Sequence, residues 1–65
     1  MLYSTAQVAK AFGVSDQTVR NWVDSGQLPV QTQGQRVWRF KREDIDRFAQ
    51  QHPGMIYLPH LLADD

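Results

Sequence analysis

Thr5-Ala6-Gln7-Val8-Ala9-Lys10-Ala11-Phe12-Gly13-Val14-Ser15-Asp16-Gln17-Thr18-Val19-Arg20-Asn21-Trp22 carries the signals of two short helices joined by a tight turn. Ala9 is small enough to let the second helix approach the first closely, and Val19 is placed to fill the space between them. Gly13 can take the left-handed backbone that ends a helix without a Cβ penalty. Ser4 stands as N-cap, Gln7 completes a capping box, and Tyr3 and Val8 occupy the positions of a hydrophobic staple. With Val8, Ala9 and Phe12 as its apolar stripe, the first helix runs from about Thr5 to Phe12. The second repeats the pattern: Ser15 caps it, Val14 and Val19 are its staple pair, and Gly26 stops it. Val19, Trp22 and Val23 then face inward at i, i+3 and i+4. Gln17, Asn21 and Asp24 lie on the opposite side, flanked by Thr18 and Arg20, so the outward face is polar and rich in amides.

Beyond this pair the pattern changes to short extended pieces. Leu28-Pro29-Val30 leads in, Gln33-Gly34-Gln35 is a turn signal, and Val37 to Phe40 are mostly β-branched or aromatic, which reads as a β-hairpin. Trp38 and Phe40 would share one face of it, Val37 and Arg39 the other. Glu43 and Asp44 open a third helix, where carboxylates complement the positive end of the helix dipole. Ile45, Phe48 and Ala49 form its inward stripe, and His52-Pro53-Gly54 stops it. The expected class is mostly α with a small β-hairpin, in the order helix-turn-helix, hairpin wing, third helix. The division is a domain over 1–52 and an apolar tail over 53–65. In the tail, Met55, Ile56, Tyr57, Leu58, Leu61 and Leu62 are strongly apolar, while Pro59 interrupts any long helix. Two readings stay open for it: a segment folded back over a small core, or an exposed hook for a partner chain, since apolar side chains are costly to leave in water.

Composition bounds the chemistry. A chain of 65 residues is one small domain with a compact core. It has no cysteine, which excludes disulfides, thiolate zinc sites and cysteine nucleophiles. No apolar run approaches the ~20 residues of a membrane span, and no signal peptide opens the chain. A reducing, cytoplasmic setting without membrane contact is therefore expected. The formal net charge is zero, but its distribution is uneven. Arg36, Arg39, Lys41 and Arg42 cluster, while Asp64 and Asp65 close the tail, and local field more than total charge governs contact with phosphates.

Thr5-Ala6-Gln7-Val8-Ala9 with Gly13-Val14-Ser15-x-x-Thr18-Val19-Arg20-x-Trp22 resembles the opening of MerR-type and excisionase-like DNA-binding domains. Arg39-Phe40-x-x-x-Asp44-Ile45-x-x-Phe48 is similar to the segment after the wing in the excisionase-like branch. The likeness covers roughly Tyr3 to Gln50. It implies a winged helix-turn-helix whose second helix enters the major groove of double-stranded DNA while the wing meets the adjacent backbone or minor groove. Full-length MerR-type regulators carry a long dimerising helix and an effector domain, which these residues do not contain, so no small-molecule ligand is expected. The excisionase-like pattern often has proline or another short residue where Lys41 stands.

From chemistry and the matching positions, Gln17 and Asn21 are the base-reading candidates, because a side-chain amide pairs bidentately with adenine. Arg20 is assigned to phosphate, as the matching arginine in related domains generally is. Thr18 and the first amides of the second helix also suit phosphate oxygens. In the wing, Gln33, Gln35 and Arg36 reach across the backbone, with Arg36 entering a minor groove, and Arg39 and Lys41 add phosphate contacts. Trp22, Trp38 and Phe40 belong to the core by phase. His52 and His60 lack a third ligand, so no metal or cofactor is expected. Glu43, Asp44 and Asp46 are explained by capping and surface charge, and nothing supports an enzyme. The expected function is a small sequence-specific DNA-binding protein, either a transcriptional regulator or a recombination directionality factor. Pairing or a partner protein through Met55–Leu62 would reinforce it. The alternatives are a protein-interaction adaptor, or the DNA-binding end of a longer phage packaging or replication protein.

Overall fold

The structure, a computed structural model, describes residues 2–31 and 38–62. In chain order these form β1 (Leu2–Ser4), α1 (Thr5–Phe12), α2 (Asp16–Asp24), β2 (Arg39–Lys41), α3 (Arg42–Gln50) and one turn of 3-10 helix, Pro59–Leu62. The architecture is mostly helical with a small antiparallel sheet, a winged helix-turn-helix arrangement.

The α1–α2 unit follows its local chemistry closely. Ser4 Oγ accepts from the Gln7 N–H at 3.2 Å, and Gln7 Oε1 accepts from the Ser4 N–H at 2.8 Å, closing the capping box. Gly13 takes φ +67°. Its N–H and that of Val14 turn back to the carbonyls of Lys10 and Ala9, at 3.2 and 3.0 Å. This pair of bonds satisfies carbonyls that the last turn would otherwise leave open. α2 begins on Ser15, whose Oγ accepts from the Thr18 N–H at 3.2 Å. It ends with the same device: Gly26 at φ +82°, with the N–H groups of Gly26 and Gln27 on the carbonyls of Val23 and Trp22 at 3.0 and 2.9 Å.

The described sheet joins the first residues of the chain to the far arm of the expected hairpin. β2 pairs with β1, in the register Leu2↔Lys41, Tyr3↔Phe40 and Ser4↔Arg39. The start of the chain is therefore both a strand and the cap of α1. Period-two alternation explains the pairing: Tyr3 and Phe40 turn inward and are buried, while Leu2, Ser4, Arg39 and Lys41 take the other face. On the Leu28 side, Leu28 is buried but no strand forms over 28–30, where Pro29 has no N–H to give a ladder. One link remains, from the Gln31 N–H to the Arg39 carbonyl at 2.7 Å. The turn Gln33-Gly34-Gln35 and Val37 lie outside the described residues.

α3 starts one residue before the expected Glu43, on a Lys41 that offers no side-chain cap, with Glu43 and Asp44 in its first turn. It stops at Gln51, and the His52 ring donates through Nδ1 to the Phe48 carbonyl at 2.8 Å. Ile45 and Phe48 are fully buried and Ala49 partly so.

The core is centred on rings from all three helices. Phe12 of α1 meets Trp22 of α2 edge-on at 5.5 Å and Phe48 of α3 edge-on at 5.6 Å. Trp22 and Phe48 lie 4.6 Å apart. The tail folds back onto this cluster. Tyr57 stacks on Phe12 at 5.0 Å, the Leu58 N–H donates to the Ala11 carbonyl at 2.8 Å, and Leu62 is fully buried. Ile56 and Leu58, two apart in the irregular stretch before the 3-10 turn, remain exposed.

Candidate nucleic-acid interface

α2 is held by its inner side alone. Val19 is fully buried and Trp22 and Val23 are half-buried, at i, i+3 and i+4. The opposite stripe, Gln17, Arg20, Asn21 and Asp24, recurs at i, i+3, i+4 and i+7 and is exposed throughout. This face is a continuous polar strip on a rod fixed from behind.

Within the strip, Gln17 Nε2 donates to Asn21 Oδ1 at 3.1 Å, one turn on. The two amides thus brace one another before any ligand arrives. Asn21 keeps its NH₂ group and a second lone pair on Oδ1, the donor and acceptor that a bidentate contact with adenine uses. Arg20 projects from the same face, and among the described residues no acidic side chain pairs with it. Thr18 is partly buried, its Oγ1 lying 3.1 Å from Ser15 Oγ, so its hydroxyl first completes the helix cap.

The remaining candidates belong to the sheet. Arg39 and Lys41, two apart on β2, project from the face opposite Phe40; Arg39 is half-buried and Lys41 exposed. Gln33, Gln35 and Arg36 lie outside the described residues. Trp22 and Phe40 pack inward, as their phase requires, and Trp38 is half-buried. His52 is engaged with Phe48, its ring 4.2 Å away, while His60 is exposed. Among the described residues no three histidine, aspartate or glutamate side chains gather as metal ligands. No helix of those residues is long and apolar enough to cross a membrane.

A network on the far side of α3 was not read from the sequence. Asp46 accepts from the Tyr57 hydroxyl and, at 3.2 Å, from Arg42 Nε. Burial, and then donation to Asp46, pushes the Tyr57 hydroxyl up to about 12 from an ordinary 10.0. The Arg42 guanidinium, hydrogen-bonded to Tyr3 and to Asp46, holds its proton more tightly than usual. The i, i+4 spacing of Arg42 and Asp46 is legible on a helix. Tyr57, eleven residues further on, carries no local signal of its partner.

Two capped helices with a glycine between them, the second presenting an amide strip, define a helix-turn-helix protein. The chain belongs to that family: the model of the Helix-turn-helix domain matches residues 2–53. It is also 44% identical over 49 residues to the transcriptional repressor DcmR of Methylorubrum extorquens, across 74% of this chain. The match spans 18% of that repressor's length. No solved structure matches significantly. The family match supports a DNA-binding helix-turn-helix domain.

Proposed function

We propose that this chain reads double-stranded DNA through α2 and acts in transcriptional control. The observation that carries the proposal is the braced Gln17–Asn21 pair on a helix buried only along its other face. In this reading Gln17 and Asn21 meet base edges in the major groove, while Arg20, Thr18 and the first amides of α2 hold phosphates. Arg39 and Lys41 add phosphate contacts beside them, and Gln33, Gln35 and Arg36 extend the footprint along the backbone or minor groove. The excisionase-like branch is the nearer affinity, on Arg39-Phe40 and Asp44-Ile45-x-x-Phe48. A regulatory role is favoured over recombination because the relative is named a repressor. The role is that of a non-enzymatic cytoplasmic protein.

A single module of this kind buries roughly 600–1,000 Å² on DNA. With few cations and a net charge of zero, one copy binds weakly, and useful occupancy requires pairing, tandem sites or a partner protein. The test is selection from a random duplex pool, followed by titration of the winning site at rising salt. Enrichment of a defined site whose affinity falls several-fold with salt supports the proposal. No enrichment, with no binding to mixed duplex at low salt and high micromolar protein, overturns it. The second reading, a protein-interaction adaptor on the same fold, draws on the exposed Ile56 and Leu58 and on the neutral charge.

A further inference from the structure

We propose that Tyr57, which lies beyond the segment matched by the family, is a positioning residue for α2. The proposal rests on the reading of α2 as the DNA-recognition helix. α2 grips the body through one fully buried side chain, Val19, and through the half-buried Trp22 and Val23, of which Trp22 is the aromatic one. The Trp22 ring sits against Phe12 and Phe48, so the tilt of α2 follows the placement of those two rings. Tyr57 governs both. Its ring lies almost parallel to Phe12, 22° between planes, and holds Phe12 edge-on to Trp22. Its hydroxyl donates to Asp46, two residues before Phe48 on α3. The neighbouring Leu58 N–H bonds the Ala11 carbonyl in the last turn of α1, which fixes Tyr57 over Phe12.

The Pro59–Leu62 turn also packs on α1, with Leu62 fully buried, but Tyr57 joins α1 and α3 through one side chain, its ring on Phe12 and its hydroxyl on Asp46. Without the Tyr57 ring, the face of Phe12 that it stacks on is left open, and the edge-on contact of Phe12 with Trp22 is no longer held in place. An orientation change of the recognition helix then costs affinity even when the chain stays folded, because small misplacements disrupt bidentate base contacts. A residue serving only as core filler would lower stability and leave the folded fraction's affinity alone.

The test uses the full chain in a Trp38→Phe background, where Trp22 is the sole tryptophan. Tyr57→Leu keeps an apolar side chain of similar bulk, Tyr57→Phe keeps the ring without the hydroxyl, and Ile45→Val is a control that destabilises α3 elsewhere. Affinity for the selected duplex and Trp22 emission are measured where circular dichroism shows each variant folded. Tyr57→Leu is expected to lose about tenfold in affinity and to shift Trp22 emission. Tyr57→Phe stays within about twofold, and Ile45→Val changes neither reading. Unchanged affinity and emission in Tyr57→Leu, losses matched by Ile45→Val, or a Tyr57→Leu chain that does not fold each overturn the proposal. If the parent chain selects no duplex, the DNA reading fails separately, and Trp22 emission alone decides whether Tyr57 positions α2.

Discussion

The α1–α2 pair and the segment from Pro53 to Leu62 are held by opposite kinds of interaction. In the pair, the devices that start and stop each helix span four or five residues: Ser4 with Gln7, Gly13 with Ala9 and Lys10, Ser15 with Thr18, Gly26 with Val23. The C-terminal segment has one turn of 3-10 helix and is otherwise turn and irregular backbone. Its anchors reach far back along the chain: Tyr57 to Phe12 and Asp46, Leu58 to Ala11. The outward face of α2 is consequently free of any duty to the fold, whereas the tail's inward residues have little else.

Phe12 is where the two regions meet, and its loss breaks the contrast. Phe12→Ala should cost about 3–5 kcal/mol, the usual range for a buried phenylalanine, because it removes a side chain 2% exposed and packed on Trp22, Phe48 and Tyr57. Urea unfolding should show that loss, with α2 and the tail released together. If the tail's signals moved while those of α2 did not, the shared junction would be refuted.

On the outward strip the expectation reverses. Gln17→Ala and Asn21→Ala should flatten sequence preference by roughly 1–3 kcal/mol between the best site and its point variants. Stability should hardly move, since both positions are exposed. Arg36→Ala should instead weaken all duplexes about equally and lower the salt slope by about one. Titration against a panel of single-base variants distinguishes the two patterns, and the opposite assignment would remove α2 from the groove.

The glycines sharpen the local side of the comparison. A Cβ at Gly13 or Gly26 meets nothing within 4 Å, so substitution is strained by backbone conformation alone. Gly13→Ala and Gly26→Ala should each cost about 1–2 kcal/mol, and asparagine should recover part of it. Thermal unfolding in parallel checks this; a neutral Gly13→Ala would contradict the left-handed turn.

The smallest effect belongs to the tail's hydroxyl. Tyr57 in the folded chain titrates near 12 rather than 10.0, because burial and the Asp46 bond favour its neutral form. A raised folded value means its contribution is fully present below pH 10 and declines as pH rises toward 12. The difference in melting temperature between the parent and Tyr57→Phe should accordingly narrow over that window. A difference that stays constant to pH 12 would show the hydroxyl to be uncoupled from folding.

How far each part could be read in advance follows the same division. The bounds of α1, the cap at Ser15, the stop at Gly26 and the inward phase of Val19 and Trp22 were legible, because each depends on neighbours within one helical turn. The strand role of Leu2–Ser4 was not legible, since Tyr3 and Phe40 become partners only when the sheet brings distant residues side by side. The hairpin reading put Phe40 on a strand without naming Tyr3 as its partner, for the same reason. Asp46 read as surface charge until Tyr57 came to meet it.

The linear order of residues was enough to determine the two helices, their turn and the amide strip on α2, because periodicity and capping act over a few covalent steps. Tertiary structure alone decided which strand closes the sheet, that the apolar tail returns to Phe12, and which of its side chains stay in water. Those outcomes depend on burial and hydrogen bonding between segments far apart in the chain, and no short-range pattern encodes them.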